Sequence, residues 1–214
     1  MSAVLDLKQI ERQAFRSTYQ DGLWDMYMGV IVAAMAIFMY RPESGYSPTN
    51  IIMAILAFAL AYALFWAGKK YITLPRMGQV RFGPMRRQKN KTLAIILGVI
   101  VLFQAFVVGF TTLGWLNPGV GQKLLGNYNS GLLAVAALGS LFVGPPMLFI
   151  AYMTDFPRGY YIAILFALAI FSMIYTNQPI YPAVIGGLIL LLGLVLFIRF
   201  MKKYPIPSRN ELNE

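Results

Sequence analysis

The sequence contains no cysteine and no histidine. Without cysteine there are no disulfides, no thiolate nucleophile and no cysteine-ligated metal site. Without histidine there is no histidine general base, no histidine-ligated zinc and no haem held by histidine. Charged residues make up only 12% of the chain and hydrophobic residues 58%, whereas a soluble domain carries about 25% charged residues. These deficits predict an integral membrane protein with no cofactor and no metal site.

Catalytic motifs are missing as well. The sequence has no glycine-rich phosphate loop, EF-hand or zinc-ligand spacing. Intramembrane aspartyl proteolysis needs two facing carboxylates at membrane depth, and only Asp25 comes close. We therefore predict no catalytic residues and a non-enzymatic protein. A lipid-modifying enzyme that uses Asp25 or Asp155 to hold a metal is the third of three functional hypotheses.

Six apolar segments are long enough to cross, or nearly cross, a hydrocarbon core of about 30 Å. They cover residues 23–40, 51–68, 92–112, 131–153, 160–176 and 182–201. We expect an all-α membrane protein whose six-span domain, residues 23–201, forms three helical hairpins. The similar inner ends of the hairpins fit either a true internal repeat or the composition common to any return to the cytosol. Before this domain, residues 1–22 lack the apolar run of a signal peptide. They predict an interfacial amphipathic helix, and the alternative is a short solvated helix.

The distribution of basic residues predicts the topology. If both termini are cytoplasmic, sixteen of the eighteen Lys and Arg residues lie inside, and only Arg41 and Lys123 lie outside. Inner loops of membrane proteins carry such an excess. We therefore predict a multi-pass protein of the cell (inner) membrane, with residues 202–214 as a cytoplasmic tail. Because the cations flank apolar runs, the net charge of +10 predicts contact with anionic lipid headgroups and not with nucleic acid.

Residues 69–91, called here the basic segment, hold eight Lys or Arg and no acidic residue. Tyr71–Leu74 and Gln79–Phe82 resemble short strands, and Pro75 and Gly78 suit a turn between them. The sequence thus predicts a small cytoplasmic β-hairpin loop. Its cations could bind anionic lipid or a partner, or they could serve only to orient the protein. The candidate binding residues are Arg76, Arg81, Arg86, Arg87, Lys89 and Lys91.

Asp21 and Asp25 stand at the opening of the first span. Asp21 suits a helix N-cap, and Asp25 lies in the first turn, where the helix dipole favours a carboxylate. Alternatively, Asp25 is a cation or proton site, since ionisable groups at membrane depth are usually functional. A pairing of Asp25 with an arginine of the basic segment is also open.

Within the spans, Gln104 and the fourth segment carry the remaining polar or irregular features. Ala136, Ser140 and Gly144 form a small-residue stripe, which Pro145 and Pro146 follow. A broken helix there could line a solute path beside Gln104. The alternative is a kinked packing helix, with Gln104 bonded to a carbonyl that the kink frees.

Two short motifs, DGLWD at 21–25 and YITLPRMGQVRF at 71–82, resemble those of a group of uncharacterised prokaryotic multi-pass membrane proteins. That group has an acidic-Gly opening to its first span and a Tyr-Pro-Arg-x-Gly-Tyr-Val element after its second. Here Leu74 and Gln79 stand where that element has tyrosines. The resemblance covers less than half of the chain and implies no activity, but it implies that the element recurs.

Two functional hypotheses therefore stand ahead of the enzyme. The first is a binding or assembly component whose basic segment contacts anionic lipid or a partner. The second is a small channel or transporter with a path near Gln104 and the Gly144–Pro146 stretch. The sequence leaves the oligomeric state open.

Overall fold

The computed structural model describes residues 19–39, 48–77, 84–115 and 128–205. These residues are helical apart from short turns, and they contain no strand. We number the helices α1 to α6 in chain order. They are α1 (Leu23–Met39), α2 (Pro48–Met77), α3 (Pro84–Trp115), α4 (Tyr128–Met153), α5 (Pro157–Thr176) and α6 (Ile180–Lys203).

Proline marks where several of these helices begin. Pro48 and Pro84 are the first residues of α2 and α3, Pro157 is the first of α5, and Pro179 precedes α6. A proline at the first helical position loses no hydrogen bond, and its fixed φ suits the helix. The helix α5 ends at Thr176, and its C-cap Asn177 adopts a left-handed conformation with φ of 53°. The two prolines predicted to separate the fifth and sixth segments therefore act at the start of α6.

Five of the helices are long and apolar enough to cross a membrane: α2, α4, α5, α6 and the Gln88–Val107 part of α3. The helix α1 is apolar but has only 17 described residues, about 25 Å of helix. A multi-pass membrane protein is therefore confirmed. The count of six spans stays a prediction, since α1 falls short of the length that the other five reach.

The chain forms two compact units. The first comprises residues 1–81 and 179–214, and the second comprises residues 82–178. In the first unit α1 packs most extensively on α6 and also on α2. In the second unit α4 packs along α5, and α3 touches α4 more sparsely. The most extensive pairs, α1 with α6 and α4 with α5, are thus not the pairs that the three-hairpin prediction places together.

Glycines allow α1 and α6 to pack backbone against backbone. A Cβ on Gly29 would lie 2.5 Å from the backbone nitrogen of Leu190, and one on Gly193 would lie 2.6 Å from that of Met26. Gly22, with φ of 74°, lies against the carbonyl oxygen of Gly193. Because Gly22 faces Gly193 and Gly29 faces Gly186, the two helices are antiparallel. Close approach through small residues is a general means of helix association in membranes.

The predicted β-hairpin is wrong in its first strand. Residues Gly68–Thr73 form a π-helical stretch, and Leu74–Met77 continue as α-helix, so Tyr71–Leu74 are helical throughout. Helix formation is cooperative, and residues 68–77 extend the helix that Pro48–Ala67 already form. Local β-propensity is overridden in such a context. Three other predictions fall largely outside the described residues. They are the second strand at 79–82, the interfacial helix at 1–22 and the tail at 202–214.

Candidate functional site

The start of α1 meets the end of α2 through a buried carboxylate. The Asp21 side chain is fully buried and forms an ion pair of 2.7 Å with the Lys69 Nζ, itself 19% exposed. The Thr73 hydroxyl donates to the same oxygen, Asp21 Oδ2, at 2.7 Å. The backbone N–H of Leu23 donates to Asp21 Oδ1 at 3.2 Å. Asp21 therefore accepts from the first residue of α1, but it lies one position before the N-cap, which is Gly22 and not Asp21 as predicted. It also binds two side chains of α2.

The π-helical stretch places Lys69 and Thr73 together on Asp21. In this stretch the Leu74 N–H donates to the Lys69 carbonyl, five residues earlier. Such widened turns are frequent at functional sites. Pro75 explains why a widened turn occurs here. In a regular α-helix the proline ring would clash with the carbonyl of the residue four positions earlier, Tyr71.

Asp25 lies one turn further along α1 and is 2% exposed. It stands in the first turn of the helix, as predicted. Its backbone lies against α6, since a Cβ on Gly193 would be 3.0 Å from the carbonyl carbon of Asp25. Between this opening and the basic segment, Asp21 and Lys69 form an ion pair. The pairing of Asp25 with an arginine of the basic segment stays a prediction.

A group of aromatic rings lies on one side of Lys69. The rings of Trp24 and Tyr27 lie 4.9 Å and 5.0 Å from that of Phe65. The Lys69 Nζ lies 5.8 Å from the centre of the Phe65 ring, within the range of a cation–π interaction. Leu23 of α1 packs on Gly68, the residue before Lys69. The low-polarity surroundings strengthen the attraction between the two charges and also make each costly to leave alone.

Lys70, the residue after Lys69, does not face Asp21. Lys70 is exposed, and its Nζ lies 4.6 Å from the Trp66 ring centre and 5.4 Å from that of Tyr71. One turn later, the guanidinium of Arg76 donates from Nη1 to the Ile72 carbonyl at 2.9 Å. Arg76, the first predicted lipid-binding residue, is therefore tied in part to its own helix.

The other predicted lipid-binding residues belong to the second unit or lie outside the described part. Arg86, Arg87, Lys89 and Lys91 occupy the first two turns of α3, which begins at Pro84 and has no acidic residue in its first turn. Lys91 is exposed and Lys89 is half-buried. Arg81 lies outside the described residues.

The predicted intramembrane polar residues are brought together only in part. The Gln104 side-chain amide donates to the carbonyl of Phe142, which would otherwise accept from the residue four positions later, Pro146. Proline has no N–H, so Gln104 satisfies the freed carbonyl. The helix α4 continues through Pro145 and Pro146. This is the contact that the packing alternative predicts.

Ser140 forms a hydrogen bond within α4, and Gly144 packs against α5. The Ser140 hydroxyl donates to the carbonyl of Ala137 in its own helix at 2.8 Å. A Cβ on Gly144 would lie 3.2 Å from that of Ala167 in α5. Gly144 of the small-residue stripe thus faces α5. Among the described residues, no group of three or more acidic side chains could hold a metal ion.

Sequence reasoning missed the cluster of Asp21, Lys69 and Thr73. A signal was present, since Lys69 directly follows an apolar run and lies four residues before Thr73, a spacing that puts both side chains on one helix face. The glycine contacts of α1 with α6 were also missed. Their signal is a seven-residue spacing, from Gly22 to Gly29 and from Gly186 to Gly193.

No protein-family model, curated protein or solved structure matches this chain.

Proposed function

We propose that this protein is a non-enzymatic component of the cell (inner) membrane, with six spans and both termini cytoplasmic, whose basic segment binds anionic lipid headgroups. The support comes from where the described cations lie on their helices.

In the first unit the cationic ends of α2 and α6 lie at the same end. Asp21 binds Lys69 near the end of α2, and Gly22 lies against Gly193 and Phe197 in the second half of α6. The last turn of α6 carries Lys202 and Lys203. The described residues at the opposite end, where α1 ends and α2 and α6 begin, include no Lys or Arg. This is the charge asymmetry of the positive-inside rule within one folded unit.

In the second unit the first turns of α3 supply the observation that carries the proposal. Cations at the end of a helix are favoured by the helix dipole, which accounts for part of the charge on α2 and α6. At the start of a helix the dipole disfavours cations, by about 0.3–1 kcal/mol each. Arg86 and Arg87 nevertheless lie in the first turn of α3, and Lys89 and Lys91 follow in the second. An anionic membrane surface offsets that cost, since it attracts each nearby Lys or Arg by about 1 kcal/mol.

The test is lipid retention measured by native mass spectrometry. Purified protein is exchanged into equal amounts of phosphatidylglycerol and phosphatidylcholine, and the bound lipids are counted. We expect Arg81, Arg86 and Arg87 changed together to Gln to lower phosphatidylglycerol retention while phosphatidylcholine retention is unchanged. Cysteine accessibility at the termini, with cysteines introduced for the purpose, checks that the topology is the same.

The matched control changes Lys202, Lys203 and Arg209 to Gln. This variant removes the same charge from the same predicted side, and two of its three sites, Lys202 and Lys203, lie in the last turn of α6, where the helix dipole favours cations. We expect it to keep more phosphatidylglycerol than the basic-segment variant. Equal retention by wild type and the basic-segment variant would refute the proposed function.

A further inference from the structure

Two adjacent lysines at the end of α2 have different surroundings. Lys69 turns inward to the buried carboxylate of Asp21, whereas Lys70 is exposed beside the rings of Trp66 and Tyr71. Lys69 has its counter-ion within the protein, and Lys70 has aromatic faces but no carboxylate within ion-pair distance among the described residues. The charge of Lys70 is therefore available to a ligand.

We propose that Lys70, Trp66 and Tyr71, called here the headgroup patch, bind the phosphate group of an anionic phospholipid. The inference rests on the proposed function and assigns one site to it. Lys70 supplies the cation, and the two rings supply a surface at the depth of the headgroups. Both rings are more than half exposed, Trp66 at 52% and Tyr71 at 66%. Exposed Trp and Tyr are favoured at that depth because their bodies are apolar and their tips polar.

The apolar face of α2 continues from the patch in the direction that acyl chains would take. Tyr62 and Ile55 lie four and eleven residues before Trp66, and both are exposed. These spacings correspond to about one and three helical turns, so the three side chains share a face. A phosphate on Lys70 would thus have its acyl chains beside Tyr62 and Ile55. A free phosphate ion would gain nothing from that face, and this favours a lipid.

The Asp21 contacts position the patch without touching the lipid. Lys69 and Thr73 flank Lys70 and Tyr71 in the chain, and both are bound to one buried oxygen. Two anchors on one helix face fix the rotation of the π-helical stretch about its axis. The residues between the anchors are then held on the outward side. Asp21 is in this sense a positioning residue.

The experiment measures which lipid lies beside Trp66. The chain has three tryptophans, so Trp24→Phe with Trp115→Phe leaves Trp66 as the single reporter. This protein is reconstituted in vesicles that contain either brominated phosphatidylglycerol or brominated phosphatidylcholine, since bromine quenches tryptophan at short range. The ratio of the two quenching efficiencies gives the headgroup preference at Trp66.

We expect phosphatidylglycerol to be preferred at Trp66, and Lys70→Gln to lower that preference by about fivefold, the factor that corresponds to one basic residue near an anionic surface. Lys70→Arg keeps the cation and should keep the preference, which separates charge loss from misfolding. Lys202→Gln, an exposed lysine at the same end of the unit, is the matched control and should leave the preference unchanged.

Three results would overturn the inference. One is an equal preference in wild type and Lys70→Gln. Another is the same loss with Lys202→Gln, which would indicate general surface charge. The last is loss of the preference when millimolar inorganic phosphate is added at constant ionic strength, which would assign the patch to a free anion. If total phosphatidylglycerol retention still depends on Arg86 and Arg87 in any of these cases, the proposed function stands without the patch.

Discussion

Asp21 and Lys69 are 48 residues apart in the chain, yet the carboxylate and the ammonium group lie 2.7 Å apart in the structure. The pair joins the beginning of α1 to the end of α2 at the point where α2 widens into a π-helical stretch. Within the basic segment, Lys69 thus has an internal partner, whereas the adjacent Lys70 is exposed.

Removing one charge of the pair should destabilise the folded protein more than removing both charges. In Lys69→Met the Asp21 carboxylate stays buried without its ammonium partner, and breaking a buried pair costs about 3–5 kcal/mol. We expect the melting temperature in detergent to fall by roughly 10 °C. Size-exclusion chromatography of heated samples measures the fraction of protein that remains folded. The double variant Asp21→Leu with Lys69→Met should recover much of the loss. Equal destabilisation by the single and double variants would contradict a direct pair.

The hydrogen bond from the Thr73 hydroxyl to Asp21 should contribute to stability in addition to the Lys69 ion pair. Thr73→Val keeps the shape of the side chain but removes the donor to Asp21 Oδ2, and a hydrogen bond to a charged group contributes about 1.5–3 kcal/mol. Thr73→Ser keeps the donor and should be close to wild type in the same heating assay. If valine and serine have the same effect, Thr73 acts through packing and not through its hydroxyl.

Two neighbouring glycines of α6 should respond in opposite ways to alanine. A Cβ on Gly186 would lie 2.7 Å from the Gly29 carbonyl oxygen, whereas Gly187 has open space where its Cβ would be. Gly186→Ala should therefore separate α1 from α6 and reduce the yield of folded protein. Gly187→Ala should be neutral or stabilising, since alanine favours a helix over glycine by about 1 kcal/mol. A stable Gly186→Ala protein would show that the two helices are farther apart than the structure has them.

The effect of Gln104 should depend on Pro146. Gln104→Leu removes the donor to the Phe142 carbonyl, which we expect to cost about 0.5–1.5 kcal/mol. In a Pro146→Ala background the backbone N–H of residue 146 is restored and can satisfy that carbonyl, so Gln104→Leu should then cost little. Chemical denaturation of the four proteins measures the coupling. Additive effects would mean that Gln104 does not act through this carbonyl.

The helical fold was accessible from sequence because long apolar runs leave few alternatives in a membrane, where backbone groups must be satisfied internally. The positions of five helices long enough to span follow from that pattern. The end of α2 did not follow from it. Ile72 and Thr73 have β-propensity and Pro75 suits a turn, but the preceding helix and the contact of Thr73 with Asp21 outweigh these local preferences.

The candidate site was predicted only in its components. Asp21 as the residue that serves the start of α1, and Gln104 as a partner for a carbonyl freed by proline, can both be inferred from local rules. The pairing of Asp21 with Lys69 requires knowing which face of α2 meets α1. That choice depends on tertiary packing through Leu23, Gly68 and Phe65, and a single sequence does not specify it.

The most direct test of lipid binding by this protein is the composition of the lipid shell around the wild-type chain. Spin-labelled phosphatidylglycerol and phosphatidylcholine are added in turn to the protein in mixed bilayers, and electron paramagnetic resonance measures the motionally restricted fraction of each. We predict a larger restricted fraction for phosphatidylglycerol, and a difference that shrinks at high salt, because salt screens exposed charges. Equal restricted fractions at low salt would contradict the account.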